Sequence, residues 1–316
     1  MSNICALKPD VDGQKASEMK IVSVDEMNEG LFGQVILWTF EILPILEQSN
    51  VDISLLNWEI STSNYGNIFP DVLLPNTNHV VSHSAQVVRL MDLRSQKPQY
   101  VLGDDFSRLR DLFFKYFRIP AELNSIACQL NLNESLGVHF RGSDKTTDTG
   151  MNTPITKKEF LIILHEYIRV NKVTSVFLAT DENDVFDMLR KQHPAIHLKS
   201  ARDFTGNLFW RQNADVHINA RDAMIDMLCL SKCKEVLKVS SALSAFAKVI
   251  NPDLKMWRLN AMKMMSIPYF PDAYIPTLRT NADFSEECNS VIDRVQQDDW
   301  QTQYGDAYCN FYFKER

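Results

Sequence analysis

From residue 136 onward the chain alternates short apolar, β-rich runs with stretches whose apolar residues recur at helical spacing. "LGVHF" (136–140) predicts a strand. Thr156 then opens a helix through a capping box, Thr156-Lys157-Lys158-Glu159, with Phe160, Leu164, Tyr167 and Ile168 on one apolar face. "SVFLAT" (175–180) predicts the next strand, 183–192 a helix, and "AIHL" a third, short strand. A helix over 220–232, a strand "EVLKV" (235–239), a helix over 242–250 and a strand "KMWRL" (255–259) complete the series. Strand and helix in alternation argue for a parallel sheet covered on both faces.

The first half is less regular but fits the same architecture. "KIVSV" (20–24) and "ISLLNW" (53–58) predict strands, Gly30 to Gly33 a turn into a helix over 34–48, and 105–130 a helical connection between the halves. The fold class expected is α/β, with two Rossmann-like lobes facing each other across a cleft. Residues 1–125 form the N-terminal lobe and 126–270 the C-terminal lobe. Residues 271–316, acidic and aromatic, form an extension expected to pack back on the N-terminal lobe. No internal repeat or low-complexity segment interrupts the pattern.

Composition narrows the function classes. At 316 residues, 45% hydrophobic and 23% charged, the chain reads as an ordinary globular protein, and its net charge of −7 leaves no global basic field to hold nucleic acid. Six cysteines, with only Cys229 and Cys233 close in sequence, give neither a zinc pattern nor a dense disulfide framework, so reduced thiols are expected. The N-terminus has no apolar h-region, and "LFGQVILWTFEILPIL" is interrupted by Gln34, Glu41 and Pro44. A cytoplasmic protein without a transmembrane segment is expected, with peripheral membrane association left open.

In an open parallel sheet, ligands bind outside the carboxyl ends of the strands. Polar clusters gather at those ends: His139 and Arg141 with Ser143, Asp144 and Lys145; Asp181 and Glu182 after "FLAT"; Ser240 and Ser241 after "EVLKV". Each has a structural alternative. Asp181, Ser240 or Ser241 can serve as helix caps, His139 as a satisfied core histidine, and Arg141 and Lys145 as partners of Asp144. Asp226, in the helical "AMIDMLCL", either faces solvent or turns into the cleft, where guanine offers a matching pair of donors. "DVD" at 10–12 lacks the strand and loop context of a metal site. Trp58, Asn64 and Tyr65 are candidates for an acceptor site, with aromatic core packing as the alternative.

These clusters occur in a familiar order. "GVHFRGSDK" resembles the His-x-Arg-Arg-x-Asp-Lys motif of GDP-fucose-dependent fucosyltransferases, the superfamily of the core α1,6- and bacterial nodulation enzymes. "VFLATDE" is similar to its second motif and "MIDMLCLSKCKEVLKVSSALSAFAKV" to its third, while "NEGLFGQ" resembles the glycine-rich approach to its first helix. Similarity covers about residues 130–260.

The resemblance implies a GT-B fold and metal-independent, inverting transfer of fucose from GDP-fucose to a carbohydrate acceptor, with no cofactor. His139 and Asp226 would then contact guanine. Arg141 and Ser241, at the Ser240-Ser241 turn, would bind the diphosphate, Asp144 would orient the loop, Lys145 would sit near the reacting centre, and Asp181 would lie near the nucleoside. The chain departs from the pattern in two places. Gly142 stands where the motif has a second arginine, and Thr149 stands where the core enzyme has its proposed catalytic glutamate. Asp148 is the nearest carboxylate and the candidate base, with Glu29 in the other lobe as an alternative.

Overall fold

The computed structural model describes residues 19–24, 31–32, 42–48, 56–62, 66–76, 86–89, 105–142, 152–202, 215–263 and 271–299. The chain divides into two compact units, Met1–Ala121 and Glu122–Arg316.

The first unit holds strands β1 (Met19–Val24), β2 (Leu56–Thr62), β3 (Gly66–Asn67), β4 (Leu74–Pro75), β5 (Gln86–Arg89) and β6 (Phe117–Arg118). Its helices are α1 (Leu43–Gln48), α2 (Phe69–Val72) and α3 (Phe106–Tyr116). Four strands form a sheet in the order β3-β2-β1-β5, with β2 and β5 both parallel to β1. β2 begins and ends later than "ISLLNW". Trp58 and Ile60 point inward with polar residues between them, so the strand reads as alternating rather than as an apolar run. Trp58 is core, packed edge-to-face on Phe117 at 4.7 Å, which removes it from the acceptor candidates. Asn64 and Tyr65 lie outside the described residues, as does most of the helix expected over 34–48. The connection over 105–130 is two helices, α3 and α4 (Ala121–Gln129), separated by the short strand β6 and Pro120.

The second unit contains β7 (Leu136–Phe140), α5 (Lys157–Asn171), β8 (Ser175–Thr180), α6 (Asn183–Gln192), β9 (His197–Lys199), α7 (Val216–Ser231), β10 (Glu235–Lys238), α8 (Ala242–Ile250), β11 (Lys255–Arg258), a 3₁₀ turn at Pro271–Tyr274 and α9 (Glu286–Val295). All five strands are parallel, in the order β11-β10-β7-β8-β9. The chain runs outward from β7 through β8 to β9, then returns to the other side of β7 for β10 and β11. The strand order therefore reverses between β7 and β10. The Thr156 capping box is formed, with Thr156 Oγ1 accepting from Glu159 N and Glu159 Oε2 accepting from Thr156 N.

One sheet face presents Leu136, Val138, Phe140, Val176, Leu178, Leu237 and Val239 to α5, α6 and α9. The described part of the C-terminal segment contributes to this core: Phe284, Cys288, Ile292 and Val295 are buried in it, the last three forming an i, i+4, i+7 stripe on α9 with Val291 packed beside them. Ser285 N donates to Glu166 Oε2 at 2.8 Å, fixing α9 against α5. The other sheet face is covered by α7 and α8. No described helix is long and apolar enough to cross a membrane.

Gly137 marks a close approach on that second face. A Cβ there would stand 2.9 Å from Val236 Cγ2 and 3.0 Å from Cys233 Sγ, both in buried surroundings. Gly137→Ala is expected to lower stability by about 1–3 kcal/mol through overpacking, measured by chemical denaturation.

Candidate active site

β7 and β10 are neighbours in register, with Lys238 opposite His139, and β10 and β11 pair Lys238 with Arg258. Residues opposite one another in parallel strands point to the same face. His139, Lys238 and Arg258 thus form a row of basic side chains across three strands, all buried. A cation can be buried only with a counter-charge. Lys238 pairs with Asp272 and Arg258 with Asp299, whose Oδ2 lies 3.1 Å from Arg258 Nη2. Burial pulls the Lys238 amine below its usual range, against the pull of Asp272.

His139 belongs to this row and to the site above it. Its Nδ1 lies 2.8 Å from Ser244 Oγ, in the first turn of α8. Ser244 Oγ also lies 3.3 Å from the Ser241 carbonyl, so the hydroxyl links the imidazole to the N-terminal turn of α8. Burial, then the nearby Lys238 and Arg141 cations, keep the imidazole neutral, its pKa well below the ordinary histidine value. His139 is therefore a bonded histidine that also ties β7 to the start of α8.

Arg141 and Gly142 follow β7 directly. Gly142 N donates to Asp181 Oδ1 at 3.1 Å, a bond between the ends of β7 and β8. Asp181 therefore does not cap α6. Its buried carboxylate holds the backbone immediately after half-buried Arg141, and the N-cap position of α6 is Glu182. Gly142, where the resemblance calls for a second arginine, has no room for a side chain as the site is packed. A Cβ would run into the Glu182 carboxylate and stand 2.8 Å from Phe140 Cε1. Glu182 is itself paired with Lys157.

Ser240 and Ser241 follow β10. Ser240 N donates to Asn260 Oδ1 at 2.7 Å, and Ser240 Oγ donates to Asp272 Oδ2 at 3.0 Å. Ser241 occupies the N-cap position of α8, yet its side chain makes no capping bond, and its buried Oγ has no hydrogen-bond partner among the described residues. A buried hydroxyl left this way costs free energy unless something outside the chain satisfies it. It stands where the α8 N–H groups and dipole favour an anion.

Asp226 does not face solvent. It is buried on α7, with Oδ2 2.7 Å from Arg202 Nη2, and Asp222 one turn earlier lies 3.7 Å from Arg202 Nη1. Burial lifts the Asp226 carboxyl to about 6; Arg202 opposes this and Asp222 adds to it. Ser143, Asp144, Lys145, Asp148 and Glu29 lie outside the described residues, as does the Asp10–Asp12 pair. Among the described residues, no group of three or more His, Cys, Asp or Glu side chains gathers as metal ligands would.

The structure thus brings His139, Arg141, Asp181, Ser240 and Ser241 to the ends of three adjacent strands and places Asp226 in a separate ion pair. Lys238, Arg258, Asp272, Asp299 and Arg202 are additions. The first two carried a signal, a cation inside each of two strands otherwise read as buried. Arg202 and the C-terminal aspartates carried none.

Fold and site together define an α/β protein with polar and basic groups gathered at the reversal point of a parallel sheet. No family model matches the chain, and no curated protein matches it. Solved structures similar to it include fucosyltransferase NodZ from Bradyrhizobium, 15% identical, covering 75% of this chain and 94% of that chain with a TM-score of 0.41. POFUT1 in complex with GDP-fucose is 12% identical over 77% of this chain and 98% of that chain, with a TM-score of 0.44. Arabidopsis thaliana FUT1 in complex with GDP is 10% identical over 82% and 73%, with a TM-score of 0.46. At these scores the likeness carries no functional argument, and the residues must carry it.

Asp226 gives a pH signature. Its folded pKa, about 6, exceeds its ordinary 3.8, so the folded state holds the proton more tightly. The stability this proton confers is fully present below about pH 4 and is lost as pH rises through about 6. Relative to Asp226→Asn, the wild type is expected to lose up to about 3 kcal/mol across that window, read from denaturation midpoints at each pH.

Proposed function

We propose that this chain is an inverting, metal-independent glycosyltransferase of GT-B type that moves fucose from GDP-fucose to a carbohydrate acceptor. The observation that carries the reading is the Ser241 Oγ, without a partner among the described residues, at the N-terminus of the helix that follows β10, beside β7, which Arg141 follows. That pair flanks the reversal of strand order, where open parallel sheets bind nucleotides. The His-x-Arg-x-x-Asp-Lys order of residues 139–145 and the Ser-Ser turn select the donor class.

In this reading the Arg141 guanidinium forks onto the diphosphate, and Ser241 Oγ with the first N–H groups of α8 completes the cradle. His139 presents a neutral imidazole to the nucleoside, and Asp226 is the candidate reader of guanine. Asp181 keeps the Arg141–Gly142 backbone in place through its bond to Gly142 N. Asp144, Lys145 and Asp148 follow Gly142 closely in the sequence. An acceptor hydroxyl attacks the anomeric carbon, the bond to the β-phosphate oxygen breaks, and the hydroxyl proton passes to Asp148. The leaving diphosphate charge is met by Arg141, Lys145 and the helix end, dipoles already aimed at it before reaction.

One observation favours a second donor. Reading guanine N1–H and its 2-amino group takes both carboxylate oxygens, and Asp226 Oδ2 already accepts from Arg202. A GT-B transferase using another nucleotide sugar fits that pairing.

Calorimetric titration with GDP, UDP and GDP-fucose, with EDTA present, separates the two. Preferential binding of GDP that weakens roughly 10- to 100-fold in Arg141→Ala is expected, the worth of a lost charge-assisted contact. Preference for UDP favours the second donor, and absence of any nucleotide binding overturns both.

A further inference from the structure

The Ser240-Ser241 turn does not hold itself. Ser240 Oγ ends on Asp272, which also carries the buried Lys238 charge, and Ser240 N ends on Asn260. Asn260 in turn donates through Nδ2 to Thr153 O at 2.9 Å, and its own carbonyl accepts from Arg258 Nη1 at 2.9 Å. Arg258 is neutralised by Asp299. The two carboxylates at the ends of this network come from the C-terminal segment, far from the nucleotide motifs in sequence.

Asp272 is itself fixed by the backbone around it. Ile275 N donates to Asp272 O, closing the 3₁₀ turn, and the chain then runs beside β11. There Arg258 N donates to Pro276 O at 2.9 Å and Leu278 N donates to Arg258 O at 2.9 Å. The segment therefore extends the sheet beyond β11 and delivers a carboxylate beneath the turn that follows β10.

We propose that Asp272, with Lys238, is the positioning pair for the Ser240-Ser241 turn, so that the C-terminal segment sets the geometry in which Ser241 Oγ and the α8 N-terminus receive an anion. This rests on the reading of that turn as the diphosphate cradle. Lys238 fixes where the Asp272 carboxylate lies by a strong, fully buried ion pair. The second carboxylate oxygen then has one place to accept, and Ser240 Oγ occupies it. Neither residue touches the ligand; both act through Ser240.

The test separates positioning from simple support of the fold. Lys238→Met or Asp272→Leu alone strands a buried charge, and each is expected to lower the melting midpoint by roughly 10 °C. The double variant K238M/D272L removes both charges and is expected to recover most of that loss. It does not restore the acceptor for Ser240 Oγ. Hydrogen exchange at the amides of Ser240 and Ala245 is therefore expected to accelerate about tenfold in the double variant, with Val236 and Leu237 unchanged. GDP affinity is expected to stay about tenfold below that of the wild type. Ser240→Ala, which leaves the ion pair intact, should accelerate the same two amides and serves if the double variant fails to fold. Unchanged exchange at Ser240 and Ala245, or a rise spread evenly through β10, overturns the positioning role, as does return of GDP affinity together with stability. A wild type that binds no GDP defeats the donor assignment alone, because the exchange pattern still decides whether Asp272 sets the turn.

Discussion

A lysine and an arginine wholly buried in adjacent strands need carboxylates brought to them, and meeting that need shapes the second unit. Lys238 and Arg258 stand in one row with His139 on the face of the sheet under α7 and α8. Asp272 and Asp299 neutralise the two cations, and both arrive from the chain after β11. Folding of the C-terminal segment onto this unit is thus an electrostatic requirement as well as a hydrophobic one. On the opposite face, Cys288, Ile292 and Val295 bury the apolar stripe of α9.

The same charges set the chemistry above them. Burial first, then Lys238 and Arg141, hold His139 neutral, and its bond to Ser244 joins β7 to the first turn of α8. Asp181 pins the backbone after Arg141, while Asp272 and Asn260 pin the turn before Ser241. Fixed groups thus flank the point where strand order reverses, and among the described residues the buried Ser241 hydroxyl at a helix N-terminus has no partner. A site assembled in advance, with a cation and oriented dipoles, suits a leaving group that gains negative charge as its bond breaks.

Much of this was legible in the chain. The strands at 136–140 and 175–180, the capping box at Thr156 and the helices at 183–192 and 242–250 followed from period and turn chemistry, because each is a local signal. β2 was misplaced, since its inward Trp58 and Ile60 are diluted by polar neighbours. The polar residues at the strand ends were visible in the sequence, but their partners were not. Asp181, read as lying near the nucleoside or as a helix cap, bonds to Gly142 N. Asp226, read as facing solvent or as a guanine contact, is paired with Arg202. Asp272 and Asp299 are joined to their cations only by tertiary packing, which no local pattern encodes. The clue that did exist was the cations themselves: a lysine in "EVLKV" and an arginine in "KMWRL" oblige a buried parallel strand to find acids elsewhere.

The central claim is that the crevice between the ends of β7 and β10 holds a nucleotide diphosphate. A crystal structure of the protein soaked with GDP tests it most directly. The account predicts the β-phosphate within hydrogen-bond reach of Ser241 Oγ and of the α8 N-terminal amides, with Arg141 across from it. A diphosphate bound elsewhere on the protein, with Ser241 Oγ still unpartnered, would contradict it.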